Sequence, residues 1–173
     1  MTFLTAFLEH LLTLLPRVII VDPDENAILF RLGRARRVVG QGCYFLLPLV
    51  DSYRSVPVSE QIANIGRQTV EYKKTQITFE GTLQFKVRNP KKALLAVQDY
   101  QQAITEYAGA VLCGSVLENG VHHAGWMDSA RQQIAQKGTQ WGLAVQGLWL
   151  AELSTCRAYR ILMDTERGES ESE

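Results

Sequence analysis

Cysteine is scarce in this chain, and its few copies are badly spaced for structural use. Three of the 173 residues are cysteine, Cys43, Cys113 and Cys156. Their number is odd and no two form a CxxC pair, which argues against a disulfide framework or a thiolate zinc site and for free, mostly buried thiols. Uninterrupted apolar runs of about 18 residues, the length that crosses a bilayer, are missing too. The N-terminus lacks the basic start and small-residue cleavage site of a signal peptide. Excess charge of either sign is absent: 18 Lys+Arg balance 18 Asp+Glu, far from the basicity of a dedicated DNA-binding domain.

Catalytic signatures are also wanting. The "GQG" at 40–42 has neither the GxxxxGK[ST] of a P-loop nor the third glycine of a dinucleotide loop, and an apolar run containing Pro48 follows it. No GxSxG, HExxH or DxDxDG occurs. His122 and His123 are adjacent and point different ways on any regular element, so they cannot form an i, i+4 metal pair; a surface loop is the plainer reading. Cys113 with one of these histidines lacks an orienting third group, and its helical spacing beside a core stripe fits an inert thiol. The reading is a chain that is not an enzyme, with no catalytic residue, no metal site and no cofactor.

What the chain has is pattern. On a helical wheel of residues 1–15, Phe3, Leu4, Phe7, Leu8, Leu11, Leu12, Leu14 and Leu15 fill one half, and Thr2, Thr5, Ala6, Glu9, His10 and Thr13 the other. Pro16 restricts Leu15 and stops the helix. Such a wide apolar face suits a helix packed on its own domain or on a copy of itself. It equally suits a helix lying in a membrane surface, although the usual Lys/Arg decoration is missing.

After Pro16 the period changes to that of strands. "RVIIVD" and "NAILFRL" flank the turn-rich "DPDEN". "RLGRARRVVG" reads as a hairpin with Gly33 at positive φ, and Gly40 and Gly42 bracket a second tight turn before "CYFLLPLV". Residues 76–88 alternate strictly, with Ile77, Phe79, Leu83, Phe85 and Val87 on one face and polar residues on the other. This is a long antiparallel strand with one wet face. Asn89 and Pro90 cap and open a helix. A second helix carries the stripe Ile104, Tyr107, Ala108, Val111, Leu112 and Ser115. A third is expected to start near Ser129, through a capping box with Gln132, and to end before Gly138. "WGLAVQGLWLAEL" returns to strand, and its parity change predicts a bulge near Gln146-Gly147. Strands, then helices, then a strand make an α+β domain.

Charge is unevenly placed. The last ten residues hold five acids and one base, so 17 Lys+Arg face 13 Asp+Glu in the rest, a body of about +4. The acidic tail has the composition of a disordered segment. Arg31, Arg34, Arg36 and Arg37 cluster on the first hairpin. They suit protection of a strand edge or contact with an anionic surface or acidic partner. Without interleaved aromatics they make a poor nucleic-acid reader.

Together these segments resemble the SPFH or band 7 family, the stomatin and prohibitin group, across roughly residues 18–153. "VDPDENAILFRLGR" is similar to the family's opening strand pair at Glu25, Phe30, Arg31, Gly33 and Arg34. "GQGCYFLLPLVDSYRSV" matches its GxGxxFxxPxxD signature at Gly40, Gly42, Phe45, Pro48 and Asp51. "YKKTQITFEGTLQFKVRNPKKALLAVQDYQQAI" resembles its long strand and the helices that follow. The resemblance implies residues 1–16 as an amphipathic membrane-associating helix, 17–155 as the SPFH/band 7 domain with a mainly antiparallel sheet packed by two to three helices, and 156–173 as a short C-terminal segment. It also implies a non-catalytic scaffold at the cytoplasmic face of a membrane. The expected partners are the lipid surface, an unidentified membrane protein and copies of itself, with no nucleic acid. The alternative is a soluble protein-interaction module that does not bind lipid. The family's long coiled-coil helix is missing after the last strand, which points to small homo-oligomers. In this frame the glycines are turns, the arginines decorate a hairpin, and Phe45 to Val50 is a core or membrane-facing segment.

Overall fold

The structure is a computed structural model that describes residues 16–121 and 125–157. In chain order the strands are β1 (Arg17–Val21), β2 (Glu25–Arg31), β3 (Arg34–Val39), β4 (Gly42–Leu46), β5 (Asp51–Pro57), β6 (Glu60–Tyr72) and β7 (Thr75–Val87). Helices α1 (Pro90–Ala96), α2 (Tyr100–Asn119) and α3 (Trp126–Gln140) follow, and β8 (Leu143–Arg157) closes the described chain. Every strand pair is antiparallel. The strands form three sheets, ordered β1-β4, β3-β2-β5 and β6-β7-β8. The α+β class expected from the sequence is the one found.

The large β6-β7-β8 sheet carries the helices on one face. β7 alternates as its sequence demands, with Ile77, Phe79, Leu83, Phe85 and Val87 buried against Ile104, Ala108, Leu112 and Val116 of α2 and Ala130 and Ile134 of α3. Burying a side chain of this size contributes about 1.5–3 kcal/mol. The opposite face stays wet, where Gln84 and Gln146 both donate to Glu60 at 2.9 and 2.7 Å. Asn89 caps α1 by accepting from the Lys92 amide at 3.2 Å, and Pro90 follows it. Asp99 caps α2 through the Gln101 and Gln102 amides at 2.9 and 3.1 Å. In β8 the register steps from Gln84↔Gly147 to Phe85↔Val145, leaving Gln146 as the extra residue where the parity change predicted a bulge.

The two small sheets face each other over a second core of Ile19, Val21, Ala27, Leu29, Val39 and Leu46, with Tyr44 packed beside it. β2 and β3 join through Leu32 and Gly33, both at positive φ (50° and 75°). That is the backbone sense a two-residue hairpin requires.

Four elements differ from the sequence expectation. Helix α3 begins at Trp126, three residues before the expected start. Gly125, at φ 89°, breaks the chain there, and the Ser129 amide already donates to the Gly125 carbonyl at 3.0 Å. The buried Trp126 draws the first turn into the core. Gly138 lies inside α3 rather than after it, and there it allows close packing on β8, since a Cβ would sit 3.2 Å from Val145 Cγ2. The tight turn expected at 40–42 is a corner between sheets: β3 pairs with β2 whereas β4 pairs with β1, so the chain changes sheets there. Strands β5 and β6 carry no clean period and were not anticipated.

Candidate functional site

In a two-stranded sheet one face finds a partner and the other does not. Ile19, Val21 and Leu46 point into the small core. The register sets Val18 opposite Phe45 and Ile20 opposite Cys43, so these four share the outward face. Outward residues of a half-buried antiparallel sheet are ordinarily polar. Here Ile20 is 76 % and Phe45 72 % exposed, and Val18 and Cys43 are exposed beside them. The apolar run then continues past β4 into the 47–50 loop, where Leu47 is exposed and Leu49 reaches 85 %.

The loop is held from its far end. The Asp51 amide donates to the Leu47 carbonyl at 2.9 Å. The Asp51 carboxylate accepts from Arg31 Nε at 2.7 Å, from Arg31 Nη2 at 2.9 Å and from the Leu47 amide at 3.2 Å. Its side chain is only 7 % exposed. The Arg31 hydrogen bond foremost, then the Leu47 amide and the charges of Arg31 and Arg36, lower its pKa from 3.8 to about 2 against a small cost of burial. The Leu32 amide donates to the Val50 carbonyl at 2.8 Å, tying the exposed hairpin tip to the same loop. Arg17, the first residue of β1, pairs with Leu46. The chain following residues 1–15 therefore enters the fold beside Leu47. One end of the small-sheet unit thus gathers Leu32, Phe45, Leu47 and Leu49 with the entry point of the N-terminal segment. A contiguous apolar surface of this kind marks an interaction site.

The arginines divide by task. Arg31 is engaged by Asp51. Arg34, Arg36 and Arg37 are exposed on β3, the outer strand of the β3-β2-β5 sheet. Arg36 is the bulged residue between the pairs Leu29↔Arg37 and Phe30↔Ala35. Arg37 lies 5.9 Å from the centre of the Tyr44 ring, and Arg36, Arg37 and Phe45 line one small crevice. Positive charge therefore borders the apolar surface. The eight apolar residues from Phe3 to Leu15, as well as His122 and His123, lie outside the described residues.

Leu47 and Leu49 fall in the 45–50 segment that the sequence marks as core or membrane-facing, whereas Val18, Ile20 and Leu32 were not singled out. The available signal was "RVIIV", apolar at both parities in a strand too short to sit at the middle of a sheet.

Cys113 is half-buried with its sulfur 3.9 Å from Gln68 Oε1, and burial pushes its thiol pKa up, away from the reactive thiolate. No group of three His, Cys, Asp or Glu is placed to hold a metal ion among the described residues. No helix among them is long and apolar enough to cross a membrane.

Comparison with known proteins places this architecture. The chain is 26 % identical over 158 residues to an uncharacterized protein of Archaeoglobus fulgidus, covering 88 % of this chain and 64 % of that protein. A stomatin homolog of Pyrococcus horikoshii is 23 % identical over 140 residues, 78 % of this chain and 53 % of that one. Stomatin-like protein 1 of Mus musculus is 28 % identical over 138 residues, 76 % of this chain and 35 % of that one. The chain thus spans less than two thirds of the length of each of these relatives. The pattern that defines the SPFH domain / Band 7 family matches residues 19–169, from β1 through the three helices and past β8, and on that match the chain belongs to the SPFH domain / Band 7 family.

Proposed function

We propose that this protein is a non-catalytic, membrane-associated scaffold of the stomatin and prohibitin type, acting at the cytoplasmic face of a bilayer. The observation that carries the reading is the bare apolar surface of β1, β4 and the 47–50 loop, at the same end of the unit as the point where residues 1–15 join it. Laying Ile20, Phe45 and Leu49 into the interfacial region of a bilayer contributes on the order of 5 kcal/mol. The amphipathic residues Phe3, Leu4, Phe7, Leu8, Leu11, Leu12, Leu14 and Leu15 add a second apolar face directly upstream. Arg34, Arg36 and Arg37 border the surface, where each basic residue near anionic headgroups contributes about 1 kcal/mol. The wet face of the large sheet is left for protein contacts, to copies of the chain in a small homo-oligomer and to a membrane-protein partner whose behaviour the scaffold modulates.

Liposome flotation tests the reading. The full chain should float with vesicles, and Phe45→Glu/Leu49→Glu and Leu8→Glu/Leu11→Glu should each reduce flotation several-fold while leaving the thermal midpoint unchanged. A full chain that stays at the bottom of the gradient would show the apolar surface to be a protein contact, as in a soluble interaction module.

A further inference from the structure

β8 is an outer strand of the large sheet, and among the described residues β7 is its one neighbouring strand. Alternate backbone N–H and C=O groups of such a strand point away from the ladder and find no partner in it. The two halves of this edge differ. Near its start the Gln146 carbonyl accepts from Arg131 Nη2 at 2.6 Å, so α3 reaches over that part. A second register step, from Glu80↔Glu152 to Gly81↔Leu150, makes Ala151 an extra residue. Beyond it Glu152 to Arg157 pair with Glu80 to Thr75 without interruption, and residues 151–156 are all exposed. Among the described residues, no backbone hydrogen bond from a loop or helix reaches this half.

A bare edge is a template for another strand, and proteins blunt it with charge, bulges and proline. This chain does so elsewhere. β3 carries Arg34, Arg36 and Arg37 with its bulge at Arg36, and β5, on the other side of that sheet, ends in Pro57. β6, the opposite edge of the large sheet, is broken between Ile65 and Gln68 and carries Glu60, Arg67 and Glu71. From Leu153 to Cys156, β8 has no charge, no proline and no bulge. A second copy of the chain supplies a strand of matching chemistry. Antiparallel pairing about a two-fold axis at Ser154 sets that residue against its own copy, Leu153 against Thr155 and Glu152 against Cys156. No like charges then stand opposite each other, and Glu152 is already engaged by Arg67 Nη2 at 3.2 Å within each copy. Leu153 lies across from Phe79 on the helix-bearing face yet is 45 % exposed, and the partner's Thr155 would cover it. An axis one residue earlier draws in the bulged Ala151, and one residue later it sets Leu153 against Arg157.

We propose that two copies of the chain join through the bare edge of β8, with Glu152–Cys156 paired antiparallel about a two-fold axis at Ser154, so that two three-stranded sheets become one. The inference rests on the scaffold reading, to whose small homo-oligomer it gives a surface, and it uses none of the residues assigned to the membrane. So short a ladder lies at the small end of protein interfaces, and the dimer is accordingly a weak one.

Sedimentation of the full chain without lipid, from low to high micromolar concentration, should show a monomer–dimer equilibrium. Leu153→Lys/Thr155→Lys should weaken it at least about ten-fold, because each lysine then faces a lysine of the partner. Both positions are exposed, so the thermal midpoint should not move. A chain that stays monomeric leaves the edge to another segment or partner and overturns the proposal, as does a dimer equally strong in the variant. Register is read separately. In a Cys43→Ser/Cys156→Ser background, Ser154→Cys should be trapped as a disulfide-linked dimer under mild oxidation, since opposed residues of an antiparallel pair stand within disulfide reach. Glu152→Cys in the same background should not be trapped, and capture at both positions or at neither refutes this pairing. Flotation with vesicles keeps the two readings apart. A chain that floats as a monomer overturns the pairing alone, and one that dimerises through Ser154 without floating overturns the membrane reading alone.

Discussion

Arg31 and Asp51, paired across the β2–β5 ladder, are joined by two parallel hydrogen bonds of 2.7 and 2.9 Å, and the same carboxylate holds the Leu47 amide. A side chain that would otherwise read as one more surface arginine is the pin of the apolar loop. Because the pKa of Asp51 is lowered from 3.8 to about 2 in the folded chain, its contribution to stability is complete above about pH 4 and is lost as the pH falls from about 4 toward 2. Thermal melts followed by circular dichroism should show the midpoint declining through that window. In Asp51→Asn the midpoint should already be lower at pH 7, and this part of the decline should vanish.

The three remaining arginines of the hairpin are expected to act on lipid and not on stability. Arg34→Gln/Arg36→Gln/Arg37→Gln should weaken binding to anionic vesicles several-fold at low salt. The difference should close at high salt, as screening removes it, with neutral vesicles unaffected. The melting profile should stay within about 0.5 kcal/mol of the parent, as for ordinary surface substitutions.

Gly142 is a position where a methyl group has no room. Its φ is 80°, and a Cβ would meet the Asn89 carbonyl oxygen at 2.6 Å and Lys92 Cβ at 2.8 Å. The Gly142 carbonyl accepts from both the Arg88 and Asn89 amides at 2.9 Å, locking β8 to the start of α1. Gly142→Ala should cost about 1–3 kcal/mol or more in urea unfolding.

Lys73 and Lys74 hold positive φ of 47° and 66°, a conformation that side chains other than Gly and Asn resist by about 1–2 kcal/mol per residue. Lys73→Asn/Lys74→Gly should raise stability by about 1 kcal/mol in the same measurement.

The thiols should separate by rate. Iodoacetamide at pH 7 should modify the exposed Cys43 quickly. Cys113, half-buried and with its thiol pKa raised by burial, should react at least about ten-fold more slowly until the protein is unfolded. Peptide mass spectrometry over a time course reads both.

Much of the large sheet was legible before any coordinates. The alternation at 76–88, the Asn89-Pro90 helix start and the odd residue at Gln146 are local signals, each settled by neighbours within a few positions. β6 hid because its register shifts between Ile65 and Gln68. Its buried residues Ile65 and Val70 therefore stand five apart, and Ile62 faces outward. A period-two search fails on such a strand. The start of α3 was misplaced because a plausible cap at Ser129 competed with a glycine-initiated turn whose advantage, the buried Trp126, lies in the tertiary core.

By itself the chain determined its α+β class and its family resemblance, because strand period, cap residues and turn residues act through neighbours in sequence. Tertiary structure alone decided which apolar residues stay bare. Val18 and Ile19 are equally apolar, and only the presence of a second sheet over one side of β1 and, among the described residues, of nothing over the other separates a core residue from a surface one. It likewise decided that Arg31 meets Asp51 across twenty residues while Arg34 faces solvent, since strand register, and not composition, sets which charges come within hydrogen-bonding distance.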